Sequence, residues 1–159
     1  MRKFEFVNRL IEDCVNDNGV LKNSYGMVKL PERSTANSAG YDFFCPRDTI
    51  CKAHEITIIP TGVKAKFPDD EVLLLFNRSS NPKKKGLIVP NGVGVIDADY
   101  YNNPDNEGEI GCMFRNDFNE DIVVVQGEKM MQGIFVKYGI TDDDDAQGIR
   151  NGGFGSTGN

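Results

Sequence analysis

Two carboxylates and an aromatic side chain follow directly on an apolar run near the middle of the chain. The run Gly92–Ile96 leads into Asp97, Asp99 and Tyr100. The alternation of side chains along a strand predicts Asp97 and Asp99 on one face and Tyr100 on the other. A carboxylate at a strand end can serve as a general base when it reaches a water molecule. The same pattern also fits a strand that runs into a polar turn, so this segment alone leaves both interpretations open.

A glycine-rich stretch from Arg150 to Gly158 carries groups suited to binding phosphate. Successive glycines let backbone amides approach an anion closely, and an arginine can hold phosphate oxygens through two parallel hydrogen bonds. Phe154 offers a flat face on which a nucleobase can stack. The structural alternative is a loose polar tail, but solubility alone gives no reason for one arginine and one phenylalanine at this spacing.

Arg78, Ser79 and Ser80 follow an apolar strand and supply one positive charge and two hydroxyls. Such hydroxyls can bind phosphate at a strand-to-turn junction. They can equally cap a following helix, since serine is a preferred N-cap residue. Both interpretations hold together, because helix N-termini also attract anions.

Short strands are the elements that must position these groups. Runs rich in β-branched and aromatic residues alternate with turn residues such as Pro60–Gly62 and Pro68–Asp70. Strands at this spacing predict an all-β sandwich or barrel. The predicted strands are Tyr41–Cys45, Glu55–Phe67, Glu71–Phe76, Leu87–Val89, Gly92–Ile96, Glu109–Arg115, Ile122–Val125 and Met131–Tyr138.

The first residues depart from this pattern. Phe4 and Phe6 alternate as in a strand, whereas the apolar residues that follow have helical spacing, with Asn18 and Gly19 as a stop. We therefore predict a short strand that leads into a short helix. The apolar residues on the predicted helical face are Val7, Leu10, Ile11, Cys14 and Val15.

Composition predicts one globular domain without a membrane or nucleic-acid partner. The chain has 159 residues, of which 39% are hydrophobic, and no apolar run approaches the roughly 20 residues of a membrane span. A net charge of −6 argues against a general nucleic-acid binder. Residues 1–7 lack the apolar core of a signal peptide. The four cysteines show no metal-type pairing, so we read them as reduced thiols of a cytoplasmic protein.

Five segments in chain order resemble the five motifs of the trimeric deoxyuridine triphosphatase (dUTPase) family, and the resemblance extends over roughly residues 27–159. It implies a jelly-roll fold, a homotrimer with shared active sites, and Mg²⁺-assisted hydrolysis of dUTP to dUMP and pyrophosphate. The segments are Ala39–Asp42, Arg78–Ser80, Asn91–Tyr100, Gly127–Gln132 and Arg150–Gly158.

The resemblance also implies a role for each matching residue. Asp97 would be the general base that activates a water for attack on the α-phosphorus, and Asp42 would hold hydrated Mg²⁺. Tyr100 would pack under the deoxyribose and reject a 2′-hydroxyl, while Asp99 would brace the site. The substrate-binding residues would be Arg78, Ser79, Ser80 and Gln132 at the phosphates, Asn91, Gly94 and Ile96 in the uracil hairpin, and Arg150, Phe154, Gly155, Ser156 and Thr157 in a closing tail.

The predicted organisation is an N-terminal extension over residues 1–26, a jelly-roll core over 27–141, and an acidic hinge with the glycine-rich tail over 142–159. Three features depart from the family pattern. Asn77 stands where many members have a small residue, Tyr101–Glu107 is seven residues long where most members have one, and one residue separates Arg150 from Gly152 where many have two.

Two other functions compete with hydrolysis of dUTP. A dCTP deaminase shares this fold, but it would need a catalytic glutamate and lacks the Ile-Asp-x-Asp-Tyr pattern of Ile96–Tyr100. A nucleotide-dependent regulatory protein could use the same scaffold, with the N-terminal segment and Tyr101–Glu107 as partner surfaces. Fold alone does not separate these functions.

Overall fold

The computed structural model of the chain describes residues 1–11, 15–17 and 20–153, with the backbone alone for 15–17. It contains one short helix, α1 (Asn81–Lys85), and 3₁₀ turns at Asn8–Leu10 and Ala98–Tyr100. None of the described helices has the length and hydrophobicity needed to span a bilayer. The strands are β1 (Lys3–Phe6), β2 (Val15–Asp17), β3 (Val20–Asn23), β4 (Gly26–Lys29), β5 (Glu32–Arg33), β6 (Tyr41–Phe44), β7 (Thr49–Cys51), β8 (Ile56–Pro60), β9 (Val63–Lys66), β10 (Glu71–Asn77), β11 (Leu87–Ile88), β12 (Gly94–Ile96), β13 (Gly111–Asn116), β14 (Ile122–Val124) and β15 (Lys129–Lys137).

The largest sheet carries most of the segments predicted to be functional. Its strand order is β12-β10-β15-β6-β5, and all its pairs are antiparallel. Leu73 and Leu75 of β10 are buried in one core cluster together with Phe43 of β6 and Phe114 of β13. Each such side chain contributes about 1.5–3 kcal/mol when it leaves water. The core therefore fixes the strands whose ends carry the polar groups.

The all-β prediction is confirmed, and most predicted strands are present with ends shifted by one or two residues. The predicted strand Glu55–Phe67 is wrong as one element, since it is split into β8 and β9. The chain turns at Gly62, whose φ of 74° is a conformation that other residues rarely adopt. Residues 142–145, the predicted acidic hinge, are exposed.

The N-terminal segment forms a strand and one 3₁₀ turn, so the prediction of a helix reaching Val15 is wrong. β1 pairs with β9 from Lys3 opposite Lys66 to Phe6 opposite Val63. Val15 lies in β2, opposite Lys22 of β3, while Cys14 lies outside the described residues. Helical spacing of apolar residues could not reveal this, because the competing hydrogen bonds come from a partner strand.

Phe4 ties the N-terminal strand to the core. Its ring centroid lies 5.3 Å from that of Tyr41, 5.5 Å from that of Phe43 and 5.6 Å from that of Phe135. We expect Phe4→Ala to lower the free energy of unfolding by about 2 kcal/mol, through lost aromatic contact and a cavity. Denaturant unfolding at matched protein concentration measures this.

Lys3→Ala is the matched control for Phe4→Ala, because Lys3 lies in the same strand and its ammonium forms an exposed hydrogen bond with the neighbouring Glu5. We expect it to change stability by less than about 0.5 kcal/mol. Equal losses for both variants would contradict a structural role of Phe4 in the core.

Candidate active site

Asp97 and Asp99 meet at one guanidinium group, that of Arg150. Asp99 Oδ1 accepts a hydrogen bond of 2.7 Å from Arg150 Nε, and Asp97 Oδ2 accepts one from a terminal nitrogen of the same group. The Arg150 side chain is 11% exposed, whereas the two carboxylates are about half exposed. The carboxylates are thus open to a ligand while the cation beneath them is shielded.

The predicted strand placement of these acids is wrong. β12 ends at Ile96, which lies opposite Leu73 of β10, and Asp97 precedes the 3₁₀ turn Ala98–Tyr100. A tight turn has a different periodicity from a strand. The two carboxylates converge because both reach Arg150 and not because they share a strand face.

Tyr100 is buried beside this cluster, and its hydroxyl bonds to Glu109 and Asn106. The hydroxyl donates to the backbone oxygen of Glu109 at 3.0 Å and accepts from Asn106 Nδ2 at 2.7 Å. Burial is the main cause that raises the pKa of this hydroxyl above its usual value. The Arg150 guanidinium lies 5.8 Å from the centre of the Tyr100 ring. The ring is therefore held by polar contacts at both its edge and its face.

A cavity of about 230 Å³ opens along β12 and the loop before it. Asn91, Gly94 and Ile96, the residues predicted for uracil recognition, all line it. A Cβ added at Gly94 would lie 3.1 Å from the Cβ of Leu75, so a side chain there would crowd β10. The structure thus brings these three predicted residues to one largely apolar cavity, and Ile96 in its lining directly precedes Asp97. The remaining lining residues are Leu75, Val89, Val93, Val95, Gly111, Met113 and Met131.

A second polar cluster surrounds Asp42 on β6. Asp42 Oδ2 accepts from Ser34 Oγ and from Lys129 Nζ, both at 2.7 Å, while Arg78 Nε lies 3.8 Å from Oδ1. Burial alone would raise the pKa of Asp42, but the hydrogen bonds from Lys129 and Ser34 outweigh it and hold the pKa below its usual value. Asp42 is therefore an ionised carboxylate between two cations.

The remaining predicted residues of this region adjoin the same cluster. Gln132 lies opposite Asp42 in the β15–β6 pair, and its Nε2 donates to the backbone oxygen of Asn77 at 3.4 Å. Ser79 is exposed, and Ser80 takes the N-cap position of α1 without a capping hydrogen bond from its side chain. Neither hydroxyl is thus needed to cap the helix through its side chain, which leaves both able to bind a ligand.

Asn77, a departure from the family pattern, has a structural reason. Its Nδ2 donates to the backbone oxygen of Leu87 at 2.9 Å, and its Oδ1 accepts from Asn81 Nδ2 at 2.8 Å. Asn81 also donates to the backbone oxygen of Met130. The side chain of Asn77 therefore anchors α1 and the turn that carries Arg78.

The structure brings together Asp97, Asp99, Tyr100 and Arg150, but it separates them from the Asp42 cluster. Ile96 lies opposite Leu73 near the start of β10, whereas Arg78 follows directly on its last residue, Asn77. Asp97 is thus level with residue 72, and six residues of strand span about 20 Å. The predicted tail residues Phe154, Gly155, Ser156 and Thr157 lie outside the described residues.

Sequence reasoning missed Lys129, Ser34 and Asn106 as residues of these clusters. Lys129 lies inside the Gly127–Gln132 motif, so its charge was a usable signal. Ser34 and Asn106 carry no motif and come close only through folding. Among the described residues there is no group of three or more histidine, cysteine, aspartate or glutamate side chains that could enclose a metal ion.

Comparison with known proteins identifies the family. The dUTPase family model matches residues 27–158. The chain is 48% identical over 141 residues to the deoxyuridine 5′-triphosphate nucleotidohydrolase of Lactococcus lactis, covering 87% of this chain and 94% of that protein. The dUTPase of Streptococcus mutans has a similar crystal structure, with a TM-score of 0.74, 43% identity and coverage of 87% and 98%.

A more distant structure shares the fold alone. It is a variant dUTPase of phage phi11 of S. aureus, with a TM-score of 0.66, 20% identity and coverage of 93% of this chain and 97% of the phage protein. That protein is described as coordinating a structural Mg(II) ion. With the family model and the L. lactis relative both covering most of the sequence, the chain belongs to the dUTPase family.

Proposed function

We propose that the chain hydrolyses dUTP to dUMP and pyrophosphate. The observation that carries this proposal is the position of Asp97, whose half-exposed carboxylate belongs to the residue directly after Ile96, the last residue of β12 and one of those that line the cavity with Asn91 and Gly94. A base in the cavity and a ribose against Tyr100 would bring the first phosphate toward Asp97. Family membership supplies the substrate class, because the L. lactis relative is named for this reaction.

Asp97 acts as the general base in the proposed reaction. Its carboxylate accepts a proton from a water molecule, whose oxygen forms a bond to the α-phosphorus. The bond between that phosphorus and the bridging oxygen to the β-phosphorus breaks, and pyrophosphate leaves. Asp99 braces the site by holding Arg150 until substrate binds, and Phe154 covers the base when the tail closes. The protein thereby contributes positioning and charge stabilisation, which dominate phosphoryl transfer.

Arg150 has two roles in this proposal. Before substrate binds it neutralises Asp97 and Asp99. When the triphosphate arrives, Arg150, Gly155, Ser156 and Thr157 turn to its terminal phosphate. Asp97 then loses a partner and is free to bind the attacking water.

The Asp42 cluster suits phosphates and a hydrated Mg²⁺. Arg78 and Lys129 provide positive charge, and Ser79, Ser80 and Gln132 provide hydrogen bonds. Oδ2 of Asp42 already binds Ser34 and Lys129, while Oδ1 has only the more distant Arg78. One carboxylate with waters and substrate phosphates fits the ligand preference of Mg²⁺. When bound, the ion neutralises phosphate charge.

The distance between the two clusters supports a homotrimer with shared active sites. About 20 Å of β10 separates the Asp97 end from the Arg78 end within one chain. A triphosphate is much shorter than this, so one protomer cannot place its α-phosphate at Asp97 while Arg78 of the same protomer binds it. Pairing the Asp97 end of one copy with the Asp42 cluster of another removes the conflict, and a cyclic assembly repeats that contact.

The reaction is proposed to take place in the cytoplasm. Among the described cysteines, Cys45, Cys51 and Cys112 are free and buried. Burial raises the pKa of all three thiols, which keeps them protonated and unreactive. Such thiols suit a reducing compartment.

Pyrophosphate release from dUTP, dCTP, dTTP and UTP tests the proposal. We expect release from dUTP to exceed release from the other three by at least about a hundredfold, since a site built around a base edge and a ring under the sugar rejects altered groups. Omission of Mg²⁺ should slow the reaction. Ammonia release from dCTP would assign a deaminase instead, and no turnover of any nucleotide would contradict the enzyme proposal.

A further inference from the structure

The insertion Tyr101–Glu107 folds back on itself directly after Tyr100. Asn102 N donates to Glu107 O at 3.1 Å, and Glu107 N donates to Asn103 O at 3.0 Å. Asn103, only 4% exposed, accepts from the backbone nitrogens of Asp105 and Asn106 at 3.0 and 3.2 Å. The insertion therefore has a defined shape that its own asparagines maintain.

Two of these asparagines hold Tyr100. Asn103 Nδ2 donates to the backbone oxygen of Tyr100 at 2.9 Å, and Asn106 Nδ2 donates to its hydroxyl at 2.7 Å. Asn106 is itself fixed, because its Oδ1 accepts from Asn103 Nδ2 at 2.7 Å and from Gly108 N at 3.0 Å. Both ends of the tyrosine are thus bound by side chains of the insertion.

The N-terminal segment anchors the far side of the insertion. Glu107 accepts from the backbone nitrogens of Asn8 and Arg9 at 2.6 and 3.2 Å. The Lys64 ammonium, on a residue only 2% exposed, donates to Asn102 Oδ1 at 2.7 Å. Because the insertion is held on this side, it cannot shift without breaking these three hydrogen bonds.

The insertion also borders the C-terminal segment. A Cβ built at Gly153 would lie 3.1 Å from Asp105 Oδ2 and 3.4 Å from Asn106 Nδ2. Gly153 is the last described residue before Phe154. Asn106 therefore lies between the Tyr100 hydroxyl and the start of the tail, at the edge of the candidate active site.

We propose that Asn106 is a positioning residue for sugar selection, acting through Tyr100. The inference rests on the proposed function, in which the Tyr100 ring lies under the deoxyribose and rejects a 2′-hydroxyl. Rejection by contact needs a ring that cannot retreat, and displacements of an ångström are enough to relax such a site. Asn106, together with Glu109 O, supplies the hydrogen bonds that stop the hydroxyl end of the ring from moving.

Asn106→Asp is the sharpest test, because it keeps the Oδ1 acceptor and the size of the side chain while it removes the amide donor. The single hydroxyl proton of Tyr100 cannot serve both the new carboxylate and Glu109 O, so one of the two bonds is lost. We expect the ratio of kcat/KM for dUTP to that for UTP to fall about fivefold, the effect of one hydrogen bond. The added charge repels both triphosphates alike and cancels in this ratio.

Asn102→Gly is the matched control. Asn102 lies in the same insertion with a φ of 58°, which glycine adopts without strain, and its side chain contacts Lys64 on the side away from Tyr100. This variant should lose stability but keep the dUTP-to-UTP ratio. Tyr100→Phe removes the hydroxyl with its bonds to both Asn106 and Glu109 and should lower the ratio at least as far as Asn106→Asp. Adding Asn106→Asp to Tyr100→Phe should cause no further loss, because the contact that Asn106 makes is already absent.

The outcomes separate this inference from the proposed function. A wild-type protein that hydrolyses dUTP, combined with an unchanged ratio in Asn106→Asp, would overturn the positioning role alone. An equal fall in Asn102→Gly would also overturn it, by showing a general effect of instability. A wild-type protein without activity on dUTP would overturn the proposed function and this inference together.

Discussion

Asp97→Asn is expected to lower kcat for dUTP hydrolysis by at least about a hundredfold, the usual contribution of a general base. Asparagine has nearly the same size as aspartate but cannot accept a proton from the attacking water. Binding of a non-hydrolysable imido analogue of dUTP should remain within about threefold of wild type, because its contacts lie mainly in the cavity and the Asp42 cluster. Single-turnover kinetics and calorimetry measure the two quantities separately.

Asp99→Asn is the matched control for Asp97→Asn, since both carboxylates bind Arg150. If Asp99 only keeps the arginine in place, its replacement should cost at least about tenfold less in kcat than replacement of Asp97. Equal losses would assign the effect to the Arg150 ion pairs and remove Asp97 as the base. Unchanged turnover in Asp97→Asn would do the same.

Mixing two inactive variants is expected to restore activity if active sites are shared between chains. Asp97→Asn removes the general base from the group of side chains near the start of β10. Arg78→Ala removes the arginine from the Asp42 cluster at the other end of this strand. In a randomly mixed cyclic oligomer, about one quarter of the sites combine an intact Asp97 end with an intact Arg78 from a neighbouring chain. We therefore expect up to about a quarter of wild-type kcat after unfolding and refolding the variants together.

The control for this experiment mixes Asp97→Asn with Asp99→Asn, two variants that damage the same end of β10. If Asp97 and Asp99 of one chain serve the same active site, mixing these variants creates no site with both acids intact. The activity of the mixture should then equal the average of the separate variants. Absence of restoration in the Asp97–Arg78 mixture would contradict shared sites and require all contacts from one chain. Light scattering of the refolded mixtures establishes that chains have assembled.

The strand pattern and the chemistry of the individual motifs were predictable from the sequence. The apolar run in Glu71–Phe76 and the turn at Gly127 are local features, and the structure places β10 and the start of β15 there. The glycine at position 94 was part of a motif before its close contact with Leu75 was visible. Such features depend on neighbours in the chain, which is why a periodicity argument reaches them.

Errors arose where a short segment could satisfy two periodicities. The apolar residues from Val7 to Val15 fit a helical face, but Val15 lies in β2, which pairs with β3 and is therefore not helical. Asp97 and Asp99 fit a strand face, but β12 ends one residue earlier and a 3₁₀ turn follows. In the first place the deciding interaction is pairing with a partner strand, which the spacing of apolar residues does not record. In the second place a local hydrogen bond of 3.1 Å from Tyr100 N to Asp97 O closes the turn, and a two-residue alternation cannot distinguish that turn from a strand.

The sequence by itself determined the all-β class, the family, and which residue types are present to bind a nucleotide. Only the tertiary structure decided which of them meet: Arg150 reaches Asp99 and Asp97 from 51 and 53 residues away, Asn106 binds Tyr100, and Lys129 joins Asp42. It also decided that Asp97 and Arg78 stand at opposite ends of β10. The physical reason is that strand register and side-chain convergence depend on contacts between distant segments, whereas motif chemistry and side-chain alternation are properties of consecutive residues.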